Sequence, residues 1–196
     1  MIAAVILAAG ASRRMGRPKL TLPWHGSETI IEHVVDIYRS AGAAPIVIVM
    51  AEKDETLARV LTGLDVRQVE ASPGFGMLSS VKTGLAALED TDIEAALLAP
   101  GDHPLLDPGT VDLLIDAWRT RKASIIAPSI DGRRGHPILV ARSMWPAIVS
   151  LAPDSTLRDF LHDRGDEIEY VVVTDEGAIR DIDTPQDYDE ALTEAD

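Results

Sequence analysis

Five consecutive apolar residues near the start of the chain, Val5-Ile6-Leu7-Ala8-Ala9, break at Gly10 into a segment that no core can hold. A run that is short, apolar and bounded by glycine predicts a strand buried on both faces. Two further runs repeat the pattern, Ile46-Val47-Ile48-Val49-Met50 and Ala95-Ala96-Leu97-Leu98-Ala99. Helical patterns lie between them. Ser27 is placed to cap a helix reaching about Ala41, with Ile30, Ile31, Val34, Val35 and Tyr38 on its apolar stripe and Gly42 as stop. A short helix over 55–61, a strand over 66–69, a turn-rich stretch over 73–77 and a helix over about 78–88 follow. Asp107 and Pro108 suit the N-cap and first turn of a helix ending near Arg121, with a strand over 124–128 after it.

The later part is less regular. Residues 131–135 read as a hairpin tip and 137–140 as its returning strand, followed by short helices near 143–151 and 155–164. Tyr170-Val171-Val172-Val173 reads as a strand, Asp181-Ile182-Asp183 as a short one, and Thr184, Pro185 and Asp187 as the start of a terminal helix. Strands alternating with helices predict an α/β protein, a three-layer α/β/α sandwich with a mostly parallel sheet. No repeat or linker divides it, so residues 1–196 are expected to form one domain.

The segment after Gly10 carries Arg13, Arg14, Arg17 and Lys19 within ten residues, and no acidic residue precedes Glu28. Glycine lets a ligand approach the backbone, and amides converging beside guanidinium and ammonium groups suit a polyphosphate. A basic, solvated surface loop is the plainer reading. Two familiar phosphate loops are excluded. Five residues separate Gly10 from Gly16 and Leu20 follows Lys19, which breaks the P-loop pattern; Ser12 stands where the dinucleotide fingerprint needs its second glycine.

Composition narrows the chemistry. The chain has no cysteine, which removes disulfides, thiolate metal sites and thiol nucleophiles. A net charge of −14 argues against nucleic-acid binding, yet a cationic patch on an acidic molecule draws a small polyanion to one place. No apolar stretch has the length of a membrane span and the N-terminus lacks a signal-peptide pattern, so a cytoplasmic location is expected.

In a parallel sheet ligands gather at the carboxyl ends of the strands, which brings Gly10, Asp102 and Asp183 to one edge. Asp102 follows a buried strand in Pro100-Gly101-Asp102-His103-Pro104. With Asp183 it could hold Mg²⁺, a hard cation that takes one or two carboxylates together with phosphate oxygens. Alternatively Asp102 caps a turn and Asp183 the terminal helix. His136, in Gly135-His136-Pro137, is a lone histidine before a proline, more often structural than catalytic.

The stretch Leu7 to Lys19 resembles the signature of the molybdenum-cofactor nucleotidylyltransferases, L-A-(A/G)-G-x-S-x-R-M-G-x-x-K. Residues 100–104 and 181–185 are similar to that family's two aspartate motifs, and the likeness covers nearly the whole chain. It implies a Rossmann-like fold of the nucleotide-diphospho-sugar transferase type. It also implies catalytic roles for Arg14, Lys19 and Asp102, and Mg²⁺ on Asp102 and Asp183. Nucleotide contacts are implied for Leu7, Ala8, Ala9, Gly10, Ser12, Arg14, Lys19, Gly76, Ser79 and Ser80, and an acceptor contact for His136. Enzymes of this kind that use CTP read Leu-Ala-Ala-Gly at the first turn, as here, whereas GTP users read Leu-Ala-Gly-Gly. The implied reaction moves CMP from CTP to the phosphate of molybdopterin and releases pyrophosphate. A molybdenum hydroxylase or its chaperone is an implied partner; nucleic acid and membrane are not. The alternatives are GTP as donor, a sugar phosphate or methylerythritol phosphate as acceptor, or a non-catalytic nucleotide-binding accessory protein.

Overall fold

The computed structural model describes residues 1–26, 28–71 and 76–194. The apolar runs form the middle of the sheet: β1 (Ile2–Ala8), β2 (Ile46–Ala51), β3 (Arg67–Ala71) and β4 (Ala95–Pro100) are mutually parallel in the order β3-β2-β1-β4. β5 (Ile125–Ile130) pairs in parallel with β8 (Ile168–Val172). Between β4 and β5 lies β7 (Ile138–Ala141), antiparallel to both, with the two-residue β6 (Arg133–Arg134) also on β5. Six of the eight strands among the described residues therefore run one way.

Helices cover both faces. α1 (Ile30–Ser40), α2 (Glu55–Val60), α4 (Pro108–Arg121) and α7 (Pro185–Glu194) lie on one face, and α3 (Gly76–Ala86), α5 (Trp145–Val149) and α6 (Leu157–Asp163) on the other. The strand period of two divides the sheet's side chains between two cores. Ala4, Ile6, Ile48 and Leu97 pack with Val34, Tyr38 and Leu114, whereas Ala3, Val5, Val49 and Leu98 pack with Val81, Leu85 and Phe160. Each fully buried Val, Leu or Ile contributes roughly 1.5–3 kcal/mol relative to exposure. Continuous apolarity in β1, β2 and β4 thus has its physical cause in burial on both sides.

Some local expectations change. α1 starts at Ile30 under Thr29, whose hydroxyl accepts from the Glu32 amide while the Glu32 carboxylate accepts from the Thr29 amide. This reciprocal box satisfies two otherwise orphaned donors. Ser27 lies outside the described residues, as do residues 73–75 of the turn-rich stretch. Asp181-Ile182-Asp183 forms no strand; it is irregular backbone tied to a distant segment by a hydrogen bond from the Ile182 amide to the Asp102 carbonyl (3.0 Å). The hairpin tip turns on Asp131 and Gly132, both at positive φ (50° and 76°), as a two-residue loop of the primed type requires. Thr184 does cap α7, accepting from the Asp187 amide (3.2 Å), and Asp187 accepts in return from the Thr184 amide (2.7 Å).

Candidate active site

The sheet order creates the site. β2 and β3 build outward on one side of β1 while β4 starts again on the other, so the crevice beyond the carboxyl ends of β1 and β4 is a topological switch point. The two strands are joined there closely: the Gly101 amide donates to the Leu7 carbonyl (3.0 Å). A Cβ on Gly101 would stand 3.1 Å from that same oxygen. Glycine before Asp102 is thus what lets the aspartate follow directly against the first loop.

That loop folds on itself. Ser12 adopts left-handed backbone (φ 46°), its carbonyl accepts from the Gly16 amide (3.1 Å), and its hydroxyl accepts from the Lys19 amide (3.2 Å). Gly16 is also left-handed (φ 71°). Gly10 is not among the left-handed positions, and a Cβ there meets nothing within 4 Å. Its bare Cα opens onto free space rather than relieving a protein contact. A cleft of about 460 Å³ borders the loop, lined by Ala8, Gly10, Ser12, Arg13, Arg17 and Lys19 among others, a size usual for small-molecule sites. Asp102, Asp181 and Asp183 are not part of its lining; Lys19 alone of the charged cluster reaches it.

Lys19 opens a short 3-10 turn, Lys19–Thr21, and its side chain is only 9% exposed. Its ammonium donates to Asp102 Oδ2 (2.5 Å) and Asp183 Oδ1 (2.8 Å). Arg14, 72% exposed, pairs with the other oxygen of Asp183. Partial burial alone would lower the Lys19 pKa, but the charge and hydrogen bond of Asp102, then those of Asp183, reverse this and raise it. For Asp183 burial pushes upward, yet the hydrogen bond and charge of Lys19 win and hold the carboxyl below its ordinary value. Both effects favour the fully ionised pair.

Asp181 joins the same cluster, and sequence reasoning missed it as a site residue. Ile182 is buried in the core at 1% exposure, and its amide is tied to Asp102, so its neighbours Asp181 and Asp183 turn outward together. One carboxylate oxygen from each of Asp102, Asp181 and Asp183 falls within 4.8 Å of the others. Burial and the nearby Asp183 raise the Asp181 pKa, the mark of crowded carboxylates. The alternation of charge around a large apolar residue was the available signal. Three hard oxygen donors fit a hard divalent cation, and the ammonium seated on two of them shows that the cluster already holds positive charge.

The remaining sequence candidates divide. His136 lies beside His103, rings edge-on at 5.6 Å, and not on the aspartates. Its Nδ1 is buried without a hydrogen-bond partner, and burial, then His103, lower its pKa to about 4 against the pull of Asp102. His103 is itself buried, with Nδ1 3.3 Å from the Gly177 carbonyl. Gly76, at positive φ (64°), and Ser79 open α3, which follows β3 and so starts at the same sheet edge; Ser80 is buried. Ala9 is half-buried against the second core.

Moving a nucleotidyl group needs cations for a triphosphate and hard oxygen donors for a metal, and one sheet edge offers both; the chain is a nucleotidyltransferase. It belongs to the family described as MobA-like NTP transferase domain, whose signature matches residues 4–168. It is 30% identical to nicotine blue oxidoreductase of Paenarthrobacter nicotinovorans over 93% of this chain and 92% of that one. To molybdenum cofactor cytidylyltransferase of Escherichia coli K12 it is 29% identical, over 94% of this chain and 92% of that one. The solved structure of Rv0371c from Mycobacterium tuberculosis H37Rv is similar throughout, with a TM-score of 0.82 at 27% identity covering 98% of this chain and 97% of that one. A complex of Rv0371c with manganese matches with a TM-score of 0.77 at 25% identity, covering 98% of each chain. Among the described residues no helix is long and apolar enough to cross a membrane.

Proposed function

We propose that the chain transfers CMP from CTP to the phosphate of molybdopterin, releasing pyrophosphate, in a reaction that depends on Mg²⁺. The observation that carries this reading is the meeting of Lys19 and Arg14 with Asp102 and Asp183 at the switch point, beside a cleft lined by further arginines. In this reading 1–196 acts as one catalytic domain in the cytoplasm.

The triphosphate lies along the loop, contacting Leu7, Ala8, Ala9, Gly10, Ser12, Arg14 and Lys19. Gly76 and Ser79 face the base and ribose from the start of α3, whereas Ser80, expected to join them, is buried and does not reach the ligand edge. Asp102 and Asp183, with Asp181 as a third donor, would hold the metal, whose chemistry is to neutralise phosphate charge and orient the α-phosphate. A phosphate oxygen of the acceptor attacks the α-phosphorus in line, one P–O bond forms and the bond to the leaving pyrophosphate breaks. The acceptor monoester is largely ionised at neutral pH, so no side chain need take a proton. Lys19 and Arg14 place positive charge where negative charge accumulates, and positioning does the rest. His136, neutral at physiological pH, faces the acceptor side. Ala9 favours CTP, because its methyl leaves less room for a purine beside β1 than glycine would. A molybdenum hydroxylase or its maturation chaperone would receive the product.

A pyrophosphate-release assay tests this directly, run with each nucleoside triphosphate, with and without molybdopterin. Release confined to CTP plus molybdopterin supports the reading, and Asp102→Ala should abolish it while leaving a folded protein. Release with GTP, or with a sugar phosphate or methylerythritol phosphate, reassigns donor or acceptor. Binding without release under every combination identifies an accessory protein and ends the catalytic reading.

A further inference from the structure

The place where three carboxylates converge is taken by a side chain. The Lys19 ammonium stands 2.5 Å from Asp102 and 2.8 Å from Asp183, two of the three carboxylates whose oxygens lie within 4.8 Å of each other. We propose that Lys19 is a resident counter-ion that keeps divalent metal off the aspartate cluster until a triphosphate draws the ammonium away. The proposal rests on the triphosphate-and-metal reading above.

Two cations a few ångströms apart repel strongly wherever water is scarce, so ammonium and metal cannot share the same pair of carboxylates. One must leave. Lys19 does not leave easily on its own, because its side chain is only 9% exposed and a buried ammonium without a partner is costly. A bare metal ion would have to displace it and leave it unpaired. A triphosphate changes that balance. Lys19 also lines the cleft beside the glycine loop, so the same ammonium can exchange carboxylate for phosphate oxygens by side-chain rotation. Its backbone stays fixed meanwhile, since the Lys19 amide is bound to the Ser12 hydroxyl and its carbonyl to the Leu22 amide. Arg14 is no such lock: at 72% exposure its ion pair with Asp183 opens into water at little cost. Nucleotide and metal affinity are then reciprocally coupled through one lysine. A protein built this way does not load metal ahead of its substrate.

The test measures Mn²⁺ binding from loss of the free-ion electron paramagnetic resonance signal. Wild type, Asp102→Ala, Lys19→Met, Lys19→Gln and Lys19→Met combined with Asp102→Ala are compared, without nucleotide and with α,β-methylene-CTP, after thermal melts confirm folding. The glutamine variant keeps hydrogen bonds to the aspartates, so the comparison survives if the methionine variant is unstable. Without nucleotide, both neutral variants should bind Mn²⁺ about tenfold or more tightly than wild type, as expected for removing a competing buried cation, and the added Asp102→Ala should erase the gain. If neither variant binds Mn²⁺ more tightly, while Asp102→Ala weakens Mn²⁺ binding in the presence of α,β-methylene-CTP, the lock is refuted and the metal reading stands. If Asp102→Ala changes Mn²⁺ binding in neither condition, both readings fall.

Discussion

His136 is a neutral imidazole held in a place that cannot easily accept a proton. Burial comes first among the causes, and His103 beside it adds to the effect, so its pKa falls to about 4 although Asp102 pulls the other way. The unfolded chain would bind a proton there near 6.5, the ordinary histidine value. Folding excludes that proton, so the native state is favoured in full above pH 6.5 and loses stability as pH falls from there toward 4. His103, also lowered by burial, acts with the same sign. Denaturant melts of wild type and His136→Gln at pH 7 and 4.5 should separate this effect from general acid denaturation, because the carboxylates are common to both. Wild type is expected to lose on the order of 2 kcal/mol more than the variant over that interval. Equal losses would mean that the ring is protonated without penalty. The first glycine of the loop teaches a different lesson at the same scale. Gly10 is required neither by its φ nor by a protein neighbour.

At the scale of elements, α3 is seated closely on the sheet. A Cβ on Gly84 would stand 2.2 Å from Val5 Cγ1 and 3.1 Å from Val49 Cγ2, so the helix rests on the sheet through a bare backbone. Its seat fixes the helix in the second core. Helix propensity alone would favour Gly84→Ala by about 1 kcal/mol. Overpacking against a fully buried β-branched valine costs about 1–3 kcal/mol and should win. The expected result is a lower melting temperature for Gly84→Ala, partly restored by adding Val5→Ala; a stabilised single variant would show that the helix can lift without cost. Elements also mark the limit of what the sequence made legible. The buried strands, the Asp107 and Thr184 caps and the Asp-Gly turn were readable because their causes are local. The α1 start was readable too, since Thr29 and Glu32 have capping-box spacing, but Ser27 drew the cap two residues early. β7 was different. Its place between β4 and β5 depends on pairings between distant segments, which no local pattern encodes.

For the whole molecule the decisive fact is how charge is distributed along a chain with a net charge of −14. Four cations and no acid precede Glu28, and after it fourteen cations face thirty-one acids. The candidate site joins these two populations: Lys19 lies 83 residues from Asp102 and 164 from Asp183. Each motif could be read alone, and the carboxyl-edge rule brought them to one side of the sheet. That the ammonium sits on the aspartates, and that Asp181 joins them, followed only from side-chain geometry. The same distribution predicts opposite salt effects on two measurable quantities. Excess negative charge strains the compact state through self-repulsion, so screening from 0.05 to about 0.5 M NaCl should raise unfolding free energy by about 1 kcal/mol. Attraction of a triphosphate to the loop is screened by the same ions, so nucleotide affinity should fall several-fold over that range. Chemical denaturation and calorimetric titration with α,β-methylene-CTP, done on one preparation, give both numbers. Stability and affinity moving together would show that loop and body share one electrostatic environment, and that the cationic segment is no separate anion site.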